Sequence, residues 1–203
     1  MENLLQNIPY VIVRVDYILV SGVNDNDHLR NLEQVLKRLA EAGLRLKKGK
    51  CVFMESQVTY LGHRVSKEGI QPMEDKVDAI ANAPSTKNVS ELKSYLGTIN
   101  YYQKFLPNLS SVLALLHKLL NCKSSWHWAK EQKLAFEQSK SFLKSSKLLV
   151  QYDDKKELTL ACDASQYGLE AVLSHQMQDG SEHPISFASR ILTKAERNYS
   201  NLE

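Results

Sequence analysis

The chain is short of almost everything that would place it outside the class of folded, water-facing proteins. Cysteine is scarce, three in 203 residues. Cys51, Cys122 and Cys162 lie far apart and form neither a Cys-x-x-Cys zinc pair nor a disulfide framework. Free, buried thiols are the expectation. Long hydrophobic runs are missing too: nothing approaches the roughly 20 apolar residues of a membrane span. The opening Met1-Glu2-Asn3-Leu4-Leu5-Gln6-Asn7 lacks the basic flank and apolar stretch of a secretory signal. An intracellular protein without a membrane partner is therefore expected. Neither sign of charge dominates, with 26 Lys and Arg against 23 Asp and Glu, a net +3. Composition alone thus gives weak support for a nucleic-acid partner. Internal repeats and low-complexity tracts are absent.

What is present is an ordinary globular composition, 43% hydrophobic and 24% charged, long enough for one or two modest domains. Residues 11–14 and 17–20 are two short β-branched apolar runs flanking Asp16, which reads as a hairpin. An ionised Asp at such a tip is a turn residue or a metal ligand. Cap residues at 24–27 precede a helix over 28–42, with Leu29, Leu32, Val35, Leu36 and Leu39 at helical spacing and Gly43 as its stop. Alternation at 44–47 and apolar runs at 51–54 and 58–61 predict strands around the basic turn Lys48-Gly49-Lys50. Pro72 suits the first turn of a helix to about 81, and 83–87 is a breaker. Asn88 and Glu91 have capping-box spacing and open a helix with Leu92, Tyr95, Leu96, Ile99 and Tyr102 on one face. A second helix over 109–120 is expected to pair with it antiparallel. Another follows at 130–144, and then come strands at 158–163, 169–176 and 184–189.

Four groups could carry chemistry. Asp16 sits at the hairpin tip, and Asp163 ends an alternating strand. Arg45, Lys47, Lys48 and Lys50 form the densest basic cluster, suited to salt-sensitive phosphate contact or to a merely solvated face. Tyr60-Leu61-Gly62-His63 is a turn whose glycine permits close backbone approach, with His63 either touching phosphate or simply exposed. Tyr101, Tyr102, Phe105, Trp126 and Trp128 could stack on bases, but their helical spacing and Leu neighbours favour core packing. His117, His127, His175 and His183 lack metal-ligand spacing.

In order along the chain, Asp16-Tyr17-Ile18-Leu19-Val20-Ser21-Gly22, His28-Leu29-Arg30-Asn31-Leu32, Tyr60-Leu61-Gly62-His63 and Gly69-Ile70-Gln71-Pro72 resemble the pol polyprotein of gypsy-type long-terminal-repeat retrotransposons. The series continues with Leu96-Gly97-Thr98-Ile99-Asn100-Tyr101-Tyr102, Trp126-His127-Trp128, Cys162-Asp163-Ala164-Ser165 and Ala195-Glu196-Arg197-Asn198-Tyr199-Ser200. The resemblance implies an α+β or α/β fold in three parts: a reverse transcriptase palm remnant (1–82), a helical thumb (83–122), and a tether leading into a ribonuclease H-like sheet (123–203). It implies Mg²⁺ chemistry, with Asp16 and Asp163 as metal-binding catalytic positions. It also implies that Leu61, Gly62 and His63 hold a primer strand, and that RNA/DNA hybrid or duplex is the partner. Oligomeric state is left open.

Departures from the family pattern bear on activity. Where the family has Tyr-x-Asp-Asp, this chain reads Arg14-Val15-Asp16-Tyr17, and removing a carboxylate weakens a two-metal site. Glu170 stands where the family has a small Gly, either crowding the sheet or pointing to solvent. The resemblance implies that the fingers, most of the palm and the second ribonuclease H carboxylate lie outside this sequence, and Glu203 is expected to be a non-catalytic neighbour of the latter. The expectation is a catalytically inactive chain with weak nucleic-acid affinity. The alternatives are part of a longer pol protein with an intact ribonuclease H, or a host-recruited interaction module. Exposed sheet edges and association are expected as well.

Overall fold

The computed structural model describes residues 1–120, 126–145 and 148–199. Cys122, Ser200 and Glu203 lie outside the described residues. The chain forms two compact units, Met1–Leu61 and Gly62–Glu203, and both mix helix with strand.

In the first unit, β1 (Val11–Arg14) and β2 (Tyr17–Val20) form the expected hairpin, in the register Val11↔Val20 to Arg14↔Tyr17. Strand alternation sends Val11, Val13, Ile18 and Val20 inward, onto Leu5, Ile8, Val35 and Leu39. Val35 and Leu39 belong to α1 (Asp25–Glu41), whose cap Asn24 accepts the Asp27 N–H through its side chain. The buried Asn31 donates from Nδ2 to the Ser21 carbonyl at 3.0 Å, tying α1 to the end of the hairpin. Arg38 reaches back to the carbonyls of Leu4 and Gln6.

The strands expected at 44–47 and 51–54 are not formed. A 3₁₀ turn, Lys48–Lys50, lies between irregular segments, and Leu44, Leu46, Val52, Phe53 and Met54 are exposed. Alternation there has no pairing strand to satisfy the backbone and no face to bury. β3 (Gln57–Tyr60) follows.

In the second unit, β4 (His63–Ser66) pairs antiparallel with β5 (Ile70–Pro72). Pro72 therefore ends a strand, opposite His63, and α2 (Glu74–Ala81) begins two residues later than expected, with Glu74 and Asp75 in its first turn. α3 (Val89–Tyr101) is capped by Asn88, whose Oδ1 accepts the Glu91 N–H at 2.9 Å. The Glu91 carboxylate reaches back one residue further than a standard box, to the Lys87 N–H at 2.8 Å.

The core of this unit joins Leu92, Tyr95, Leu96 and Ile99 of α3 with Tyr102, Phe105 and Leu106. It continues into α4 (Leu109–Lys118) through Leu109, Leu113 and Leu116, and into α5 (Lys130–Lys144) through Ala135, Phe136 and Leu143. α4 packs most closely on α5, so the expected helix pair is part of a three-helix group. Trp126 and Trp128 stack at 5.6 Å and lean on this core, and Tyr102 and Phe105 are buried in it. Tyr101 is exposed. The buried Lys140 extends over the Phe136 ring and donates to the Ala83 carbonyl at 2.6 Å, fastening the breaker segment to α5.

β6 (Leu158–Ala164), β7 (Gly168–Gln176) and β8 (Glu182–Ile191) form an antiparallel sheet in that order. α4 rests on β7 and β8, and the approach is close. A Cβ on Gly168 would lie 2.3 Å from Ser110 Oγ and 2.7 Å from the Arg190 carbonyl. The contacts of α4 with α5 and with the sheet both lie within the second unit. Among the described residues no helix is long and apolar enough to cross a membrane.

Candidate nucleic-acid interface

The β1–β2 turn has two residues, Val15 and Asp16, because Arg14 and Tyr17 already face each other across the strands. Tight two-residue turns need positive φ, and Val15 supplies it at φ 52°, which a β-branched residue adopts only under strain. Asp16 stands exposed at the tip. Since Val13 and Ile18 point inward, Arg14 and Tyr17 share the opposite, outer face with Ile12 and Leu19.

There the Tyr17 ring meets Tyr60 edge-on, with centroids 6.3 Å apart at 84°. The Tyr60 hydroxyl is buried without a hydrogen-bond partner among the described residues. Desolvation raises its pKa, against a smaller lowering by Arg14. Arg14 is exposed, and no carboxylate pairs with it among the described residues.

This donor set does not fit paired divalent ions. A two-ion centre converges several hard oxygen ligands on the metals, whereas the tip offers one carboxylate beside a guanidinium and a phenol.

The basic cluster behaves differently. Arg45, Lys47, Lys48 and Lys50 are all exposed around the Lys48–Lys50 turn, and none is ion-paired among the described residues. At residues 61–63 the backbone takes positive φ twice, 47° at Leu61 and 72° at Gly62. The glycine is suited to this by its conformational freedom, since a Cβ there would meet only ordinary contacts. His63 departs from both sequence readings. It is neither exposed nor turned outward, but 7% accessible, with its ring 5.4, 6.0 and 5.3 Å from those of Tyr101, Tyr102 and Phe105.

Asp163 lies exposed near the end of β6, its Oδ1 accepting the Ala164 N–H at 2.9 Å. Directly across the ladder is Glu170, so both carboxylates rise from the same side of the sheet. They help line an open hollow of about 610 Å³ together with Cys162, Ala188 and Arg190.

Glu170 neither crowds the sheet nor points to solvent. Its Oε1 accepts the hydroxyls of Ser110 and Ser111 at 3.3 and 3.2 Å, at the first turn of α4, where negative charge is favourable. α4 has no capping side chain of its own, because Asn108 makes no such bond. Ser189 Oγ of β8 accepts the Ser110 N–H instead. The sheet therefore caps the helix, a relation between residues about 60 to 80 positions apart that no local pattern announces.

The expectation of buried thiols fails at Cys162, which is exposed on β6, a strand exposed along nearly its whole length; Cys51 is half-buried. Among the described residues no group of three His, Cys, Asp or Glu could hold a metal. The sequence also gave no hint that Tyr60 would brace Tyr17.

Residues 1–65 match the family model described as reverse transcriptase (RNA-dependent DNA polymerase), and residues 128–203 match the RNase H-like domain found in reverse transcriptase. The Tf2-7 and Tf2-8 transposon polyproteins of Schizosaccharomyces pombe are each 33% identical over 94% of this chain, which spans 14% of their length. A foamy viral protease-reverse transcriptase in complex with double-stranded DNA superposes with a TM-score of 0.87 at 30% identity, over 99% of this chain and 35% of that one. The foamy viral protein in complex with RNA/DNA hybrid gives 0.84 at 30% identity, over 99% of this chain and 27% of that one.

Proposed function

Because the chain belongs to the reverse transcriptase family of gypsy-type retrotransposon pol polyproteins, we propose that it is a nucleic-acid-holding segment. In this reading it grips the backbone of RNA/DNA hybrid or duplex DNA and supplies no polymerase chemistry at its own hairpin. The observation that carries this is the run of four exposed cations at Arg45, Lys47, Lys48 and Lys50, none of them ion-paired among the described residues. Cations left without carboxylate partners on an exposed loop are free to displace counterions from a polyphosphate. The foamy viral relatives in complex with double-stranded DNA and hybrid support the choice of ligand.

Binding of this kind is independent of sequence and steeply salt-dependent. Four phosphate contacts correspond to a slope of about −3.6 in log K against log salt on B-form DNA. Fluorescence anisotropy with labelled hybrid should give a slope of that order. Replacing Lys47, Lys48 and Lys50 by Ala should flatten it by about three. A slope near zero in the unaltered chain, or one unmoved by the triple substitution, overturns the reading.

Paired Mg²⁺ ions are the cofactor implied by the family, where they would activate the attacking oxygen and stabilise the leaving one. At the hairpin the donors do not fit, so Asp16 is assigned a turn role. Asp163 is the remaining position for an ion, with Glu170 facing it but committed to Ser110 and Ser111. Primer extension by the purified chain in Mg²⁺ would overturn the assignment of Asp16.

A further inference from the structure

The mismatch between the hairpin tip and a two-ion centre leaves a different set of groups facing outward. Arg14 and Tyr17 are cross-strand partners on the face turned away from the core. Arg14 is exposed and carries a charge that no carboxylate answers among the described residues. Tyr17 is 57% accessible, and Tyr60 holds its ring edge-on, which fixes its direction while leaving a face open. A guanidinium beside an open aromatic face is the chemistry that seats a phosphodiester and the base next to it.

We infer that Arg14 and Tyr17, with Tyr60 as the brace behind Tyr17, form a metal-independent seat for one nucleotide of a nucleic-acid strand. The phosphate lies on Arg14 and the base on the Tyr17 ring. The exposed Asp16 carboxylate in the adjoining turn repels a second phosphate, so the seat holds one nucleotide at the turn and does not continue as a track. The guanidinium neutralises the phosphate charge that bound cations would otherwise offset, and a ring replaces a ligand carboxylate. The inference rests on the nucleic-acid reading of the preceding section, but on other residues than those that carry it.

The test is anisotropy of the full chain with a fluorescein-labelled single-stranded oligothymidylate, in EDTA and in Mg²⁺. The unaltered protein should bind in EDTA, and added Mg²⁺ should not strengthen binding. Arg14→Ala and Tyr17→Ala should each weaken binding about tenfold. Arg14→Ala should also flatten the salt slope by about one, while Tyr17→Phe, which keeps the ring, should bind as the unaltered chain. Both positions are exposed, and circular dichroism checks that the variants stay folded.

The inference is overturned if both alanine variants bind normally or if EDTA abolishes binding. If those variants are silent while Lys47, Lys48 and Lys50 to Ala removes the affinity, the seat is wrong and the nucleic-acid reading stands. If the unaltered chain binds no strand at any salt, both fall. Sedimentation in which Tyr17→Ala dissociates a dimer assigns the face to a second copy of the chain and overturns the seat.

Discussion

Tyr95 illustrates how a single side chain is placed by the bonds around it. Ser139 Oγ donates to the Phe136 carbonyl at 2.8 Å, so its one proton is spent. The 2.6 Å contact with the Tyr95 hydroxyl must then be donated by tyrosine. Burial pushes the Tyr95 phenol up to about 12, against a smaller lowering by that bond. An unfolded tyrosine ionises near 10, so between pH 10 and about 12 the unfolded chain has lost a proton that the native one keeps. Stability contributed by Tyr95 is complete below pH 10 and falls as pH rises through that window. Tyr95→Phe should cost about 1 kcal/mol at neutral pH and remove that part of the alkaline loss. Urea denaturation at pH 7 and across pH 10 to 12 measures both.

At the scale of elements, how much could be read from sequence depended on whether an element is specified by its own residues. The hairpin, α1, α5 and the strands of the last sheet follow from periodicity and caps, and they lie where alternation and helical spacing put them. Residues 44–47 and 51–54 alternate just as well and form no strand, because a strand also needs a neighbour to take its backbone bonds. Asp16 and Asp163 were legible as an exposed tip and an exposed strand end. Tyr60 behind Tyr17, the burial of His63 and the serines receiving Glu170 were not, since each depends on pairing across tens of residues.

The hairpin itself carries a cost. Val15 holds a left-handed conformation that opposes its β-branch, worth about 1–2 kcal/mol by comparison with residues free of that clash. Val15→Gly should therefore raise the thermal midpoint and leave the Arg14↔Tyr17 register unchanged, as seen in cross-strand NOEs. A lowered midpoint would mean that the valine side chain contributes more by contact than it loses in strain.

For the molecule as a whole, the exposed apolar surface sets its behaviour in solution. β6 is an edge strand, and Leu158 and Leu160 on it are 45% and 65% accessible. An open edge bearing leucines is a template for another strand. The purified chain should therefore self-associate with rising concentration, and Leu160→Lys should suppress this, as read by sedimentation velocity. An unaltered chain that stays monomeric at high concentration, or a variant that associates equally, would show that the edge is not the contact.

The capping of α4 from the sheet has its own consequence for how this second unit comes apart. Ser189 and Glu170 hold the first turn of the helix, and Gly168 lets the backbones close to that distance. The strands cannot separate without uncovering the helix start, and the helix cannot fray from that end without leaving Glu170 unpaired. Opening of β7 and β8 and fraying of the first turn of α4 should therefore occur together rather than in sequence.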